Sequence, residues 1–145
     1  MEIITPRGIL TGESIEDIIA KHGLDCLTGA HLQCADLHGV TLLHVDLTGA
    51  DLSYADMRYA DLTGAILTGA DRHGANLTGA SLYATDLSYT DLHNANLRDT
   101  RLSYAKLRGA KMDDTELTGA TLTGACLPPP ITTNPQSPPT EGKQQ

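Results

Sequence analysis

The chain has 145 residues, 18 acidic against 10 basic, for a formal charge of −8, and that balance argues against free nucleic acid as a direct partner, whose affinity comes mainly from Lys and Arg on phosphates. Five Tyr with no Phe or Trp cannot fill a conventional aromatic-rich core, and three Cys do not make a disulfide framework. No apolar run approaches the roughly 18 residues of a membrane span, and the opening Met-Glu-Ile-Ile-Thr-Pro lacks a basic n-region, so no signal peptide and a cytoplasmic location are expected.

Residues 1–24 read as an N-terminal cap. A short strand is expected within Ile3–Leu10 and a helix over about 14–22. Ser14 followed three residues later by Asp17 has the form of a capping box. Ile15, Ile18 and Ile19 share one helical face. Lys21 and His22 suit the negative end of the helix dipole, and Gly23 can end it.

From Leu27 to Leu127 an apolar centre recurs every five residues. Of these 21 positions, 18 are Leu, two are Met and one is Arg72. Two residues before each centre stands a small residue: 14 Ala, two Val and four Thr across Ala30 to Ala125. A mostly polar residue lies between, and Gly takes the second position after the centre ten times. Five is no helical period, since positions five apart turn by about 500° and drift around the axis. In extended chain, residues two apart share a face. Ala and Leu then point inward, the residue between them points outward, and the remaining two turn the chain. Gly in the third place of Leu-Thr-Gly-Ala suits the positive φ of a type II turn. Each pentapeptide is one short strand and one corner, and repetition makes a polygonal coil.

With four sides, the two opposite sides that include Leu27 and Leu37 have Gly at seven of ten corners. The other two sides have it at three of ten. Corners that alternate in type imply an even number of sides.

The motif Ala-(Asp/Asn)-Leu-(Thr/Ser/Arg)-(Gly/Tyr) over residues 25–127 resembles the pentapeptide-repeat family. The resemblance implies an all-β fold, a right-handed quadrilateral β-helix, here of about five coils. At roughly 4.8 Å between stacked strands, such a rod is on the order of 25 Å long. It also implies a bacterial, and often cyanobacterial, source. Residues 128–145, opening with three Pro, are expected to be a disordered Pro-rich tail. Its ordinary role is a solubilising terminus, and the alternative is a ligand for a Pro-binding module. The rod end closed only by Pro is a candidate contact for a homodimer. Related proteins often dimerise near their C-termini, but through a helix this chain lacks.

On four sides, His31, Asp51, Asp71, Asp91 and Lys111 form one outward column. Asp36, Asp56, Asn76, Asn96 and Glu116 form its neighbour. The plain reading of this acidic stripe is turn chemistry and solubility. The functional reading is a surface that imitates duplex DNA. The quinolone-resistance members of the family are proposed to act in this way on DNA gyrase. Unlike them, this chain is short and lacks their inserted loops and their dimer helix.

Arg72 breaks the Leu column, and a charge there is costly unless it is paired or escapes. It is expected either to snorkel out through a distorted corner beside Gly74 or to form a recognition point with His73. Tyr54, Tyr59, Tyr89 and Tyr104 fall at outward corners, with Tyr83 also outward, where Tyr is a common interface residue. Cys26, His31, Cys34, His38 and His44 crowd the first coils without metal-ligand spacing. No nucleophile with an adjacent base and no phosphate-cradling loop is present. The expectation is a non-catalytic module without cofactor or metal that presents its sides to a protein partner. The alternatives are a DNA mimic on a type II topoisomerase, and a regulatory adaptor of a transcription regulator or protease.

Overall fold

A five-residue unit can close a coil only if its corners bring the chain back over itself. In the computed structural model, which describes residues 1–129, the return takes twenty residues. His31 bridges Asp51, which bridges Asp71, then Asp91, then Lys111, every pairing parallel. Columns starting at Asp36, Thr41 and Asp46 repeat the pattern on the other three sides. The backbone ladder follows the same step: Leu62 N–H donates to the Ser81 carbonyl at 2.8 Å and Leu82 N–H to that of Arg101 at 2.8 Å. The molecule is a β-helix solenoid.

The core is the stack of centres. Every Leu and Met centre from Leu27 to Leu107 is buried, and so are most of the Ala two residues before them. Each buried Leu contributes about 1.5–3 kcal/mol before entropy is counted. Small inward Ala lets the walls close without large aromatics. Thr85 and Thr90, in the Ala positions, are fully buried and donate their hydroxyls to the carbonyls of Leu62 and Leu67, each at 2.9 Å. These bonds offset the cost of bringing a hydroxyl inside.

The corners depart from the alternation expected of them. All twenty residues two places after a centre, from Gly29 to Gly124, have positive φ, and ten of them are not glycine. The backbone bends alike on all four sides, so the uneven placement of Gly has another cause. Where Tyr stands at one corner, Gly stands at the corner stacked on it. A Cβ on Gly79 would fall 2.6 Å from Tyr59 Cε1, and one on Gly74 2.7 Å from Tyr54 Cε1. The Tyr ring lies across the glycine of the next coil.

The first coil is covered by two elements. Residues 1–12 form a hairpin of β1 (Glu2–Thr5) and β2 (Gly8–Thr11), where one strand was expected. Pro6 and Arg7 turn the chain between them. Ile4 pairs antiparallel with His31, whose N–H donates to the Ile4 carbonyl at 2.8 Å. The hairpin thereby occupies part of the strand edge that a solenoid end leaves open. Helix α1 (Ile15–His22) packs Ile15 and Ile18 into the core. Ser14 Oγ accepts the Asp17 N–H at 3.1 Å. The return bond differs from a capping box: Asp17 Oδ2 accepts from Glu13 N–H at 3.0 Å and from Lys21 Nζ at 2.8 Å. At the far end, Met112, Leu117 and Leu122 are only half-buried and Leu127 is exposed. Beyond Pro128 and Pro129, the expected tail lies outside the described residues.

Candidate interaction surface

The outward residue before each centre sits mid-strand, and its side chain can reach forward to the turn. Asp36, Asp46, Asp51, Asp56, Asp61, Asp71, Asp86 and Asp91 each accept the N–H two residues on, at 2.8–3.2 Å. Asn76 and Asn96 do the same through their amide oxygens. This is the Asx turn, which satisfies a corner N–H that the ladder leaves over. One carboxylate oxygen of each Asp is therefore held against the fold, and the second is taken by a neighbouring side chain at Asp51 (Gln33), Asp56 (Arg58), Asp86 (Lys106) and Asp91 (Lys111).

The acidic stripe is consequently ordered but not uniformly anionic. Asp51, Asp71 and Asp91 stand one above another on one side, Asp36 and Asp56 on the next. Asp56 is gripped by Arg58 at 2.6 Å and Asp91 by Lys111 at 3.0 Å. The Arg58 hydrogen bond holds the Asp56 carboxyl below the usual carboxylate range. Burial pushes against ionisation at Asp51 and Asp91. The Ser53 and Gln33 contacts outweigh it at Asp51, and His93 N–H with Lys111 outweighs it at Asp91.

Beside the carboxylate column runs a band of rings. Tyr54 and Tyr59 are 60% and 63% exposed. Tyr54 meets His73 edge-on with centroids 5.4 Å apart, and His73 stacks on His93 at 5.2 Å with planes 16° apart. Around the corner, Tyr59 meets His38 edge-on at 5.7 Å. His93 and His38 were not singled out from the sequence as part of this band. Their signal is the coil spacing, which places residues 73 and 93 on adjacent rungs.

Arg72 does not belong to this surface. It has 0% exposure, and Nε, Nη1 and Nη2 make no hydrogen bond. Neither expected outcome, escape through a corner or a recognition point with His73, is present. The ladder around Arg72 is undistorted: Leu52 N–H to Asp71 O at 2.7 Å, Arg72 N–H to Asp91 O at 2.9 Å, and Gly74 N–H to His93 O at 3.0 Å. With the corner held, strand alternation directs the side chain inward. Burial pushes its pKa down to about 9, leaving it protonated at neutral pH.

Among the described residues, no group of three or more His, Cys, Asp or Glu side chains is arranged to hold a metal ion. Shallow apolar depressions lie at each end. One of about 310 Å³ includes Ile19, Leu24 and Leu43 beside α1. One of about 440 Å³ lies between Met112 and Pro128–Pro129.

A solenoid whose sides carry rings and carboxylates, built from a five-residue unit, defines the class of protein. The sequence matches the family profile described as Pentapeptide repeats in eight copies, which together run over residues 30–128. The chain belongs to the pentapeptide-repeat family. A pentapeptide repeat protein from Nostoc PCC 7120 is 36% identical over 59% of this chain and 76% of its own, with a TM-score of 0.53. HetL from Nostoc sp. strain PCC 7120, involved in heterocyst differentiation regulation, is 29% identical over 69% of this chain, with a TM-score of 0.42. This chain spans 56% of HetL. QnrB1, a plasmid-mediated fluoroquinolone resistance protein, is 20% identical over 66% of this chain and 59% of its own, with a TM-score of 0.37. Among curated proteins, none matches the sequence closely.

Proposed function

We propose that the protein is a non-catalytic interaction module that binds a protein partner through the outer face bearing Tyr54, Tyr59, His73 and the Asp51–Asp71–Asp91 column. The observation that carries this reading is the exposed ring band set directly beside carboxylates fixed in register. Tyr offers large, rigid contact area with few rotamers to lose, and the β-helix holds each group at a constant step. Pentapeptide-repeat proteins are in general structural or interaction modules, which agrees with this reading.

The test is affinity capture from a bacterial extract with the wild-type chain and with Tyr54→Ala/Tyr59→Ala. A partner held by the wild type at high salt and lost with the double variant supports the reading. An identical set captured by both would sink it.

A second reading is a DNA mimic acting on DNA gyrase or another type II topoisomerase. It is favoured by the repeat of one carboxylate per coil along Asp51, Asp71 and Asp91. It is weakened by the cations of Arg58 and Lys111 on Asp56 and Asp91. Changing Asp51, Asp71 and Asp91 to Asn removes charge and keeps the turn bond, as Asn76 and Asn96 already show. Supercoiling by gyrase, inhibited by the wild type and not by that variant, would select this reading over the ring band.

A further inference from the structure

A guanidinium enclosed on all sides needs either a hydrogen-bond acceptor or a counter-charge, and ordinarily both. Arg72 has neither within the described residues. Its neighbours in the inward column are Leu52 and Leu92, both fully buried. Asp71 and Asp91, nearest in the chain and in the stack, are outward-facing bridge residues whose carboxylates accept the N–H groups of His73 and His93. The inward small positions of Arg72's own strand and the next are Ala70 and Ala75.

The only side-chain hydroxyls facing inward in the coil that follows Arg72 are Thr85 and Thr90. Thr90 lies on the rung above Ala70, in the strand stacked directly on that of Arg72. Both hydroxyl protons are committed, that of Thr85 to the Leu62 carbonyl and that of Thr90 to the Leu67 carbonyl. They supply no charge. A water molecule would satisfy hydrogen bonds but would leave the positive charge in a low-dielectric interior, where it is most expensive. The Arg side chain cannot shed its proton readily at neutral pH.

We propose that the interior of the rod beside Arg72 is a binding site for one small monatomic anion, chloride in ordinary conditions. The guanidinium supplies both the donors and the counter-charge. Ala70 and Ala75 are the small inward residues flanking Arg72, and of all anions a monatomic one demands the least room beside the guanidinium. Because the folded coil encloses the ion and the unfolded chain does not, halide binding is coupled to folding, and mass action makes stability depend on halide concentration.

Thermal melting of the full chain tests this, with sodium chloride or bromide exchanged for sodium gluconate at constant ionic strength. For the wild type, Tm should rise with chloride, by about 4 °C for each tenfold increase above half-saturation. Arg72→Met, which keeps an unbranched apolar stem and removes the charge, should show no anion dependence and should melt above the wild type in gluconate. Equal responses in the two proteins, or none in the wild type, would overturn the site. If Arg72→Met does not fold, crystals of the wild type grown in bromide decide the matter. Anomalous density within hydrogen-bond reach of the Arg72 guanidinium supports the proposal, and water or continuous apolar packing there overturns it.

Discussion

A tyrosine held at φ near +59° bears a strain that glycine avoids, of about 1–2 kcal/mol. Tyr54, Tyr59, Tyr89 and Tyr104 all sit at such corners, with φ between 56° and 61°. Each lies over a glycine one coil on: Gly74, Gly79, Gly109 and Gly124. The ring covers backbone that a Cβ would otherwise shield, and that contact offsets part of the strain. Gly79→Ala should therefore cost more than Gly69→Ala. The latter has nothing within 4 Å of the added Cβ and meets only the backbone strain of a side chain at φ near +65°. We expect about 1 kcal/mol for Gly69→Ala and roughly 2 kcal/mol for Gly79→Ala in urea unfolding. The excess should vanish in a Tyr59→Ala background, and an additive double mutant would refute the ring-on-glycine account. This pairing is visible in the sequence only when the chain is written in rows of twenty. Read in fives, Gly and Tyr look like alternative corner residues, when they are partners across coils. Arg72 was legible as an anomaly but not as a buried one. Whether a corner yields or holds depends on hydrogen bonds to the coils on either side, which no local pattern reports.

At the scale of the strand and its turn, the outward carboxylates have two jobs that sequence alone could not separate. Period two showed that they face out. It could not show that each returns an oxygen to its own turn, because that depends on the corner φ. The consequence is a dependence on acid. Asp51, Asp56, Asp86 and Asp91 all titrate below the ordinary carboxylate value. A folded pKa below the unfolded one contributes stability that is complete above the unfolded value and is lost as pH falls through the folded one. With an unfolded Asp near 3.9, the loss should begin at about pH 4 and deepen as the pH falls further. Asp86→Asn/Asp91→Asn keeps the turn acceptors and removes two of these titrations. Its Tm should therefore fall less steeply than that of the wild type over that range of pH. Parallel Tm profiles would mean that these carboxylates are no better stabilised in the folded chain than in the unfolded one. The same logic limits the candidate surface: charge can be removed from it without dismantling the corner, so function and fold are separable by experiment.

At the scale of the whole rod, stability is the sum of each coil and its contacts with the next, and the two ends are not equivalent. The repeat, the inward Leu and Ala and the outward Asp and Tyr were legible because each coil obeys the same local rule. The ends were less so, because a cap is defined by what it covers. Ile3–Leu10 reads as one short strand, and only the pairing of Ile4 with His31 shows what the hairpin that turns at Pro6–Arg7 covers. That hairpin and α1 give the first coil neighbours on both sides. The last described coil has Met112, Leu117 and Leu122 half-buried and Leu127 52% exposed. Its ladder bonds are nevertheless ordinary: Glu116 N–H to Ala95 O at 3.1 Å and Thr121 N–H to Thr100 O at 2.9 Å. Hydrogen-bond geometry alone would then give every rung similar protection, whereas a nearest-neighbour rod frays from the end with fewer contacts. Amide exchange distinguishes the two. The N–H groups of Leu62 and Leu82 should exchange slowest, His31 at an intermediate rate, and Glu116 and Thr121 fastest, by at least about tenfold relative to the centre, equivalent to about 1.4 kcal/mol less local stability. Uniform protection from His31 to Thr121 would show instead that the rod opens as a single cooperative block, with its stability set by the whole stack and not by its exposed end.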